Sequence, residues 1–123
     1  MKELIIYHNP RCSKSRETLQ LLQGQGFEPI VIEYLKTPLN LEQLKGLRAH
    51  FELKDFVRTA EASFKAQGLS LDDETAVLNA MLADPKLMQR PIMTYECQAV
   101  IGKKKKKVLV LFWLLIFIAQ RRY

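Results

Sequence analysis

The chain has 123 residues, 48% apolar and 26% charged, which fits one globular domain with a core of useful size and leaves little room for a second. The net charge is +6, but five of those charges come from the run Lys103 to Lys107; elsewhere fourteen basic residues face thirteen acidic ones. A nucleic-acid footprint needs basic residues spread over a face, so nucleic acid is excluded as an expected partner.

Leu4-Ile5-Ile6-Tyr7 is a short apolar, β-favouring run and reads as a buried strand. His8-Asn9-Pro10 breaks it into a loop. A helix is predicted from Ser13, with Leu19, Leu21 and Leu22 on one side and Gly24 and Gly26 ending it. Pro29 to Tyr34 reads as a second strand, parallel to the first through a right-handed crossover.

Asn40 is the candidate N-cap of a helix carrying Leu44 and Leu47. A second helix is predicted over Leu53 to Gln67, stopping at Gly68. A third follows Asp72 or Asp73, carries Val77, Leu78, Met81 and Leu82, and ends before Pro85. After Arg90-Pro91, Ile92 to Tyr95 and Gln98 to Ile101 read as a hairpin turning around Glu96. This order gives an α/β class: a thioredoxin-like fold with a helical insertion and a mixed four-stranded sheet. No repeat and no Pro/Gly/Ser-rich linker is present, so residues 1–123 are read as one domain.

The chain has two cysteines, Cys12 and Cys97, too few for a disulfide framework. Met-Lys-Glu followed by a short apolar run does not read as a signal peptide. Both features point to a reducing setting, the cytoplasm. Neither a bound cofactor nor a metal site is expected.

The chemistry concentrates in Tyr7 to Arg16. Cys12 sits where the first loop meets the first helix, so its sulfur faces first-turn N–H groups and the positive end of the helix dipole. Arg11, Lys14 and Arg16 add positive charge, and His8 lies four residues upstream. Each feature favours the thiolate, the competent nucleophile. The same N–H groups make an anion seat beside the sulfur. A lone cysteine is an ordinary apolar filler when nothing surrounds it; the preceding proline, the cationic neighbours and the strand-to-helix position argue for a nucleophile. Position 15 is serine, so the motif is Cys-x-x-Ser and an external thiol must complete any redox cycle.

Tyr7 to Leu19, Tyr-His-Asn-Pro-Arg-Cys-Ser-Lys-Ser-Arg-Glu-Thr-Leu, resembles the N-terminal signature of the ArsC family of glutaredoxin-dependent arsenate reductases, and within it the YfgD-like branch. Pro85 to Ile92 resembles that family's second signature, and the likeness covers about residues 3–102. The resemblance implies arsenate as substrate, glutathione as co-substrate and glutaredoxin as partner. It implies Cys12 as nucleophile, His8 as a residue that helps keep the sulfur ionised, and Arg58 and Arg90 as oxyanion-gripping arginines. It implies a cis-proline at Pro91, where such a bond is affordable. Ser15 is counted with the substrate-binding residues. Arg58 on a helix and His8 at a strand end also have plain readings, as a solvated charge and a backbone cap. His50 reads as a surface or boundary residue, and Cys97 as structural.

The family's third arginine falls at Lys103, which keeps the charge but loses the bidentate fork. Residues 103–123 depart from the family pattern: after the lysine run, Val108 to Ala119 is continuously apolar. That stretch is shorter than the roughly 20 residues a spanning helix needs. The favoured reading of the tail is a change of reading frame near the lysine run, with a buried terminal helix and contact with an anionic membrane surface as the alternatives. The resemblance also leaves open a glutathione-dependent thiol reductase of another substrate and, in a different class, the Spx regulators that share this fold and bind RNA polymerase. They usually carry Cys-x-x-Cys where this chain has Cys12 and Ser15.

Overall fold

The structure, a computed structural model, describes residues 3–95 and 98–102. The chain divides into two compact units, Met1–Ile32 with Arg90–Tyr123, and Glu33–Gln89. The helical insertion expected between the second strand and the hairpin is the second of these.

The first unit is a four-stranded sheet with one helix. Strand β1 (Leu4–Tyr7) leads through helix α1 (Ser13–Gly24) to strand β2 (Ile30–Ile32); β3 (Ile92–Tyr95) and β4 (Gln98–Ile101) complete it. The sheet order is β2-β1-β3-β4. β1 runs parallel to β2 with Ile6 opposite Val31, and antiparallel to β3 with Ile6 opposite Met93. The sheet is therefore mixed, with β1 and β3 in its centre. Alternation along β1 sends Leu4 and Ile6 into a core with Leu22 and Met93. Leu19, Leu21, Phe27, Tyr95 and Val100 close around that core.

Two expectations shift here. β2 covers only Ile30–Ile32 of the predicted Pro29 to Tyr34, and as an edge strand it leaves Ile30 and Val31 exposed. The buried face of α1 is Ser15, Thr18 and Leu22, not a row of leucines. Gly26 stands just beyond α1 with φ 87, a backbone conformation that side chains disfavour.

The second unit is helical. Asn40 caps α2 (Leu41–Arg48) in a reciprocal box: its side chain accepts the Gln43 N–H at 2.8 Å, and the Gln43 side chain accepts the Asn40 N–H at 2.9 Å. The single helix predicted over Leu53 to Gln67 is two short ones, α3 (Leu53–Phe56) and α4 (Ala62–Ala66). The break has a tertiary cause. Val57 is extended and bridges Met88, the Arg58 N–H donates to the Leu87 carbonyl at 2.7 Å, and the Gln89 N–H donates to the Phe56 carbonyl at 2.9 Å. Cross-chain bonding wins over local helix propensity. Helix α5 (Glu74–Ala83) starts on the Asp73 cap and ends at Asp84, which also caps the 3-10 turn Pro85–Leu87. Among the described residues, no helix is long and apolar enough to cross a membrane.

Candidate active site

The loop after β1 is tied down at both ends. The His8 N–H donates to the Ile32 carbonyl at 2.8 Å, which anchors the exit of β1 to β2. The Asn9 side-chain oxygen accepts the Arg11 N–H at 3.0 Å, and the Asn9 carbonyl accepts the Cys12 N–H at 3.0 Å. This is the turn chemistry that asparagine before proline favours. It delivers Cys12 to the N-cap of α1 with φ −92 and ψ 122, the extended backbone a cap residue needs. The Arg16 N–H then closes the first helical bond on the Cys12 carbonyl at 3.0 Å.

A cap residue normally offers oxygen to the second and third N–H of its helix. Here the side chain is a thiol, a weak acceptor, and Cys12 makes no side-chain cap bond in that form. The thiolate is a far better acceptor. Partial burial pushes the Cys12 pKa up, but other groups together outweigh it: the Ser15 N–H, the charge of Arg90, the Lys14 N–H and a hydrogen bond from the Arg90 side chain. The net direction is below the ordinary thiol value. Cys12 is half-buried, so its sulfur is confined yet reachable.

Arg90 precedes Pro91, and the peptide bond between them is cis. Its Nε is buried with no hydrogen-bond partner among the described residues. A buried donor without an acceptor is costly, roughly 1–3 kcal/mol, and more for a charged group. The guanidinium therefore supports the sulfur and still holds a donor in reserve.

His8 and Ser15 are both buried. His8 Nδ1 and Ser15 Oγ lie 2.7 Å apart, and Ser15 Oγ accepts the Asn9 N–H at 3.0 Å. The Ser15 hydroxyl thus staples the first turn of α1 to the loop, while its main-chain N–H faces the sulfur. Its side chain is fully buried and turned to His8 and Asn9, and its backbone donor favours the Cys12 thiolate.

Cys12, His8, Ser15, Arg90 and Pro91 all fall in the first unit. Arg58 falls in the second, just past α3 and not on a helix, where its Nη1 pairs with Glu61 at 2.8 Å. Lys103, Cys97, the turn at Glu96 and the apolar tail lie outside the described residues. His50 is exposed, edge-on to Phe51 at 6.3 Å. Among the described residues, no three His, Cys, Asp or Glu side chains group as metal ligands.

Sequence reasoning passed over two residues beside the site. Thr18 is buried and donates its hydroxyl to the Lys14 carbonyl at 2.9 Å, one bond from a main-chain donor to the sulfur. Gly102 donates its N–H to the Pro91 carbonyl at 2.8 Å; a Cβ there would stand 2.8 Å from Pro91 Cγ and 3.1 Å from Thr18 Oγ1. Thr18 had a faint signal, its i+3 spacing from Ser15. Gly102 had none, because its constraint comes from residues remote in the chain.

Comparison with known proteins agrees with this picture. The uncharacterized protein YfgD of Escherichia coli (strain K12) is 43% identical over 114 residues, 88% of this chain and 95% of its own. An arsenate reductase of Neisseria meningitidis serogroup B is 36% identical, again covering 88% of this chain and 97% of its own. Among solved structures, an arsenate reductase from Vibrio cholerae superposes with a TM-score of 0.80 at 42% identity, covering 88% of this chain and 96% of its own. The fold is thus the thioredoxin-like one of these reductases. The sequence model of the ArsC family matches residues 7–111, nine residues past Gly102. The match takes in the cysteine-capped helix α1, the helical second unit and strands β3 and β4 that follow Arg90 and Pro91, and the chain belongs to the ArsC family.

Proposed function

We propose that this protein reduces arsenate to arsenite through Cys12, with glutathione and glutaredoxin supplying the second thiol, in the cytoplasm. The observation that carries the reading is Arg90. Its guanidinium favours the Cys12 thiolate, and its buried Nε has no acceptor among the described residues. An oxyanion oxygen is the acceptor that would satisfy it, and arginine's planar fork suits a tetrahedral oxyanion. The Ser15 and Lys14 N–H groups supply further donors at the helix mouth. Relatives named arsenate reductase support the substrate.

The reaction balances as follows. The Cys12 thiolate attacks arsenic(V); a sulfur–arsenic bond forms, an arsenic–oxygen bond breaks, and the oxygen leaves as water after protonation. Glutathione attacks this adduct. A mixed disulfide of Cys12 and glutathione forms as the two thiols give up two electrons, arsenic(V) becomes arsenic(III), and arsenite departs; a glutaredoxin thiolate then attacks the glutathione sulfur of that disulfide, and the Cys12 thiolate leaves with the electron pair, ready for the next turnover. Ser15 cannot act as an internal resolving thiol, which is why the second thiol comes from outside. Arg58 and Lys103 are assigned to oxyanion binding and His8 to the sulfur's ionised state.

The test is arsenite production from arsenate with glutathione and glutaredoxin. We expect turnover, and its loss in Cys12→Ser. Turnover that persists in Cys12→Ser, or none with any thiol donor while RNA polymerase is captured, would overturn the reading.

A further inference from the structure

The mechanism uses Cys12, its main-chain donors and Arg90, yet three more cations flank Cys12 in the chain. Arg11 precedes Cys12, Lys14 follows two residues later, and Arg16 two after that. All three are exposed. None of them pairs with a carboxylate among the described residues. Arg16 Nη1 bonds only the Pro10 carbonyl, at 2.9 Å, a neutral acceptor that folds its guanidinium back toward the loop. From His8 to Gly24 the single acidic residue is Glu17. Of the other cations among the described residues, Arg48 and Arg58 are held by Glu74 and Glu61, and Lys36 and Lys54 by Glu33 and Glu52; Lys45, Lys65 and Lys86 pair with no carboxylate either, but lie more than thirty residues from Cys12 in the chain.

We propose that Arg11, Lys14 and Arg16 form a cationic rim that selects a thiol bearing carboxylates as the second thiol to reach Cys12. The inference rests on the proposed external-thiol cycle and adds which residues recognise that thiol and by what chemistry. An anion approaching Cys12 passes cations one, two and four residues away in the chain, whose field reaches about a Debye length, roughly 8 Å at physiological salt. They act on an approaching anion even without a fixed contact. Three charges within six residues match a small molecule with two or three carboxylates. A protein interface draws on roughly 20–30 residues a side, far more than this stretch offers.

The experiment compares probes of like reactivity and unlike charge. Alkylation of Cys12 by iodoacetate and by iodoacetamide is followed by the mass of the Cys12 peptide. Their rate ratio cancels the thiolate fraction, and the iodoacetamide rate alone reports an intact, folded site. In Arg11→Glu/Lys14→Glu the ratio should fall about three- to tenfold, in line with exposed charge pairs of up to about 1 kcal/mol each. High salt should bring the wild-type ratio down toward that of the variant.

A second arm uses the Cys97→Ser protein with Cys12 held as a mixed aromatic disulfide. Glutathione or 2-mercaptoethanol attacks the Cys12 sulfur; a new disulfide forms, the old one breaks, and the aromatic thiolate leaves with the electron pair. The glutathione-to-mercaptoethanol ratio should fall in the same double variant. Ratios unchanged in both arms overturn the proposal. Unchanged ratios with a loss of turnover only toward a protein thiol also overturn it, by moving the rim to a protein partner. Neither arm contains arsenate, so failure of the substrate assignment leaves this test intact.

Discussion

Gly102→Ala puts a methyl group where the structure has no room for one. The added Cβ would lie 2.8 Å from Pro91 Cγ, 3.4 Å from Pro91 Cδ and 3.1 Å from Thr18 Oγ1. Neither neighbour yields easily. The proline ring is part of its own backbone, and Thr18 Oγ1 is held on the Lys14 carbonyl at 2.9 Å. Gly102 cannot slide either, because its N–H is bonded to the Pro91 carbonyl. Overpacking of this kind costs about 1–3 kcal/mol. Losing glycine's freedom in the unfolded chain returns about 0.4–1 kcal/mol. The clash wins, leaving a net loss of about 1–2 kcal/mol, or roughly 3–10 °C in Tm for a chain of this size. Urea and thermal unfolding measure it directly. A Tm equal to or above wild type would refute the close packing of Gly102 on Pro91 and Thr18.

Ser15→Ala removes the acceptor of the Asn9 N–H and the partner of His8 Nδ1, so it should cost about 1–3 kcal/mol in urea unfolding. Asn40→Ala opens the capping box of α2 and should cost about 1 kcal/mol by the same measurement, without changing the alkylation rate of Cys12. Alkylation of Cys12 against pH should show a midpoint below that of an ordinary thiol, and Arg90→Met should move it upward, because the arginine's charge and hydrogen bond favour the thiolate. A pKa lowered on folding means that the native state binds fewer protons than the unfolded state between the two values. The stability of wild type relative to Cys12→Ser should therefore rise with pH through that window, level off above the ordinary thiol range, and be lost as pH falls through the folded value.

Local signals carried much of the architecture. The β-branched run at Leu4, the Asn40 box, the Asp73 cap and the glycines after α1 state their structural roles within a few residues. The hairpin strands begin and end where their apolar runs do. What sequence could not state was set by partners distant in the chain. The helix expected to run to Gln67 breaks at Val57 because the segment around Met88, thirty-one positions on, bridges it through the Arg58 N–H to Leu87 carbonyl and Gln89 N–H to Phe56 carbonyl bonds. The buried face of α1 begins with a serine and a threonine because each hydroxyl finds a local acceptor or donor, which hydropathy does not register. The same division holds at the site. Cys12 at a strand-to-helix junction is a local signal; the packing of Gly102 on Pro91 is not.

In the proposed reaction the donors at the mouth of α1 serve two anions in succession, and this constrains the order of events. Before substrate arrives, the Ser15 and Lys14 N–H groups and the Arg90 charge are occupied in favouring the thiolate over the thiol. An oxyanion entering the same seat meets a sulfur of like charge, and the two repel. First capture of the oxyanion therefore falls to a donor not already spent on the sulfur, and the Ser15 and Lys14 N–H groups turn to the oxyanion only as the sulfur's charge passes into the adduct. The buried Arg90 Nε is such a donor, a hydrogen without an acceptor among the described residues. Attack then merges the two charges into one adduct and releases the strain between them. In that proposed reaction an arginine at position 90 suits both tasks because its fork carries separate hydrogens for sulfur and oxygen; a lysine, with the same charge at one point, would have to choose.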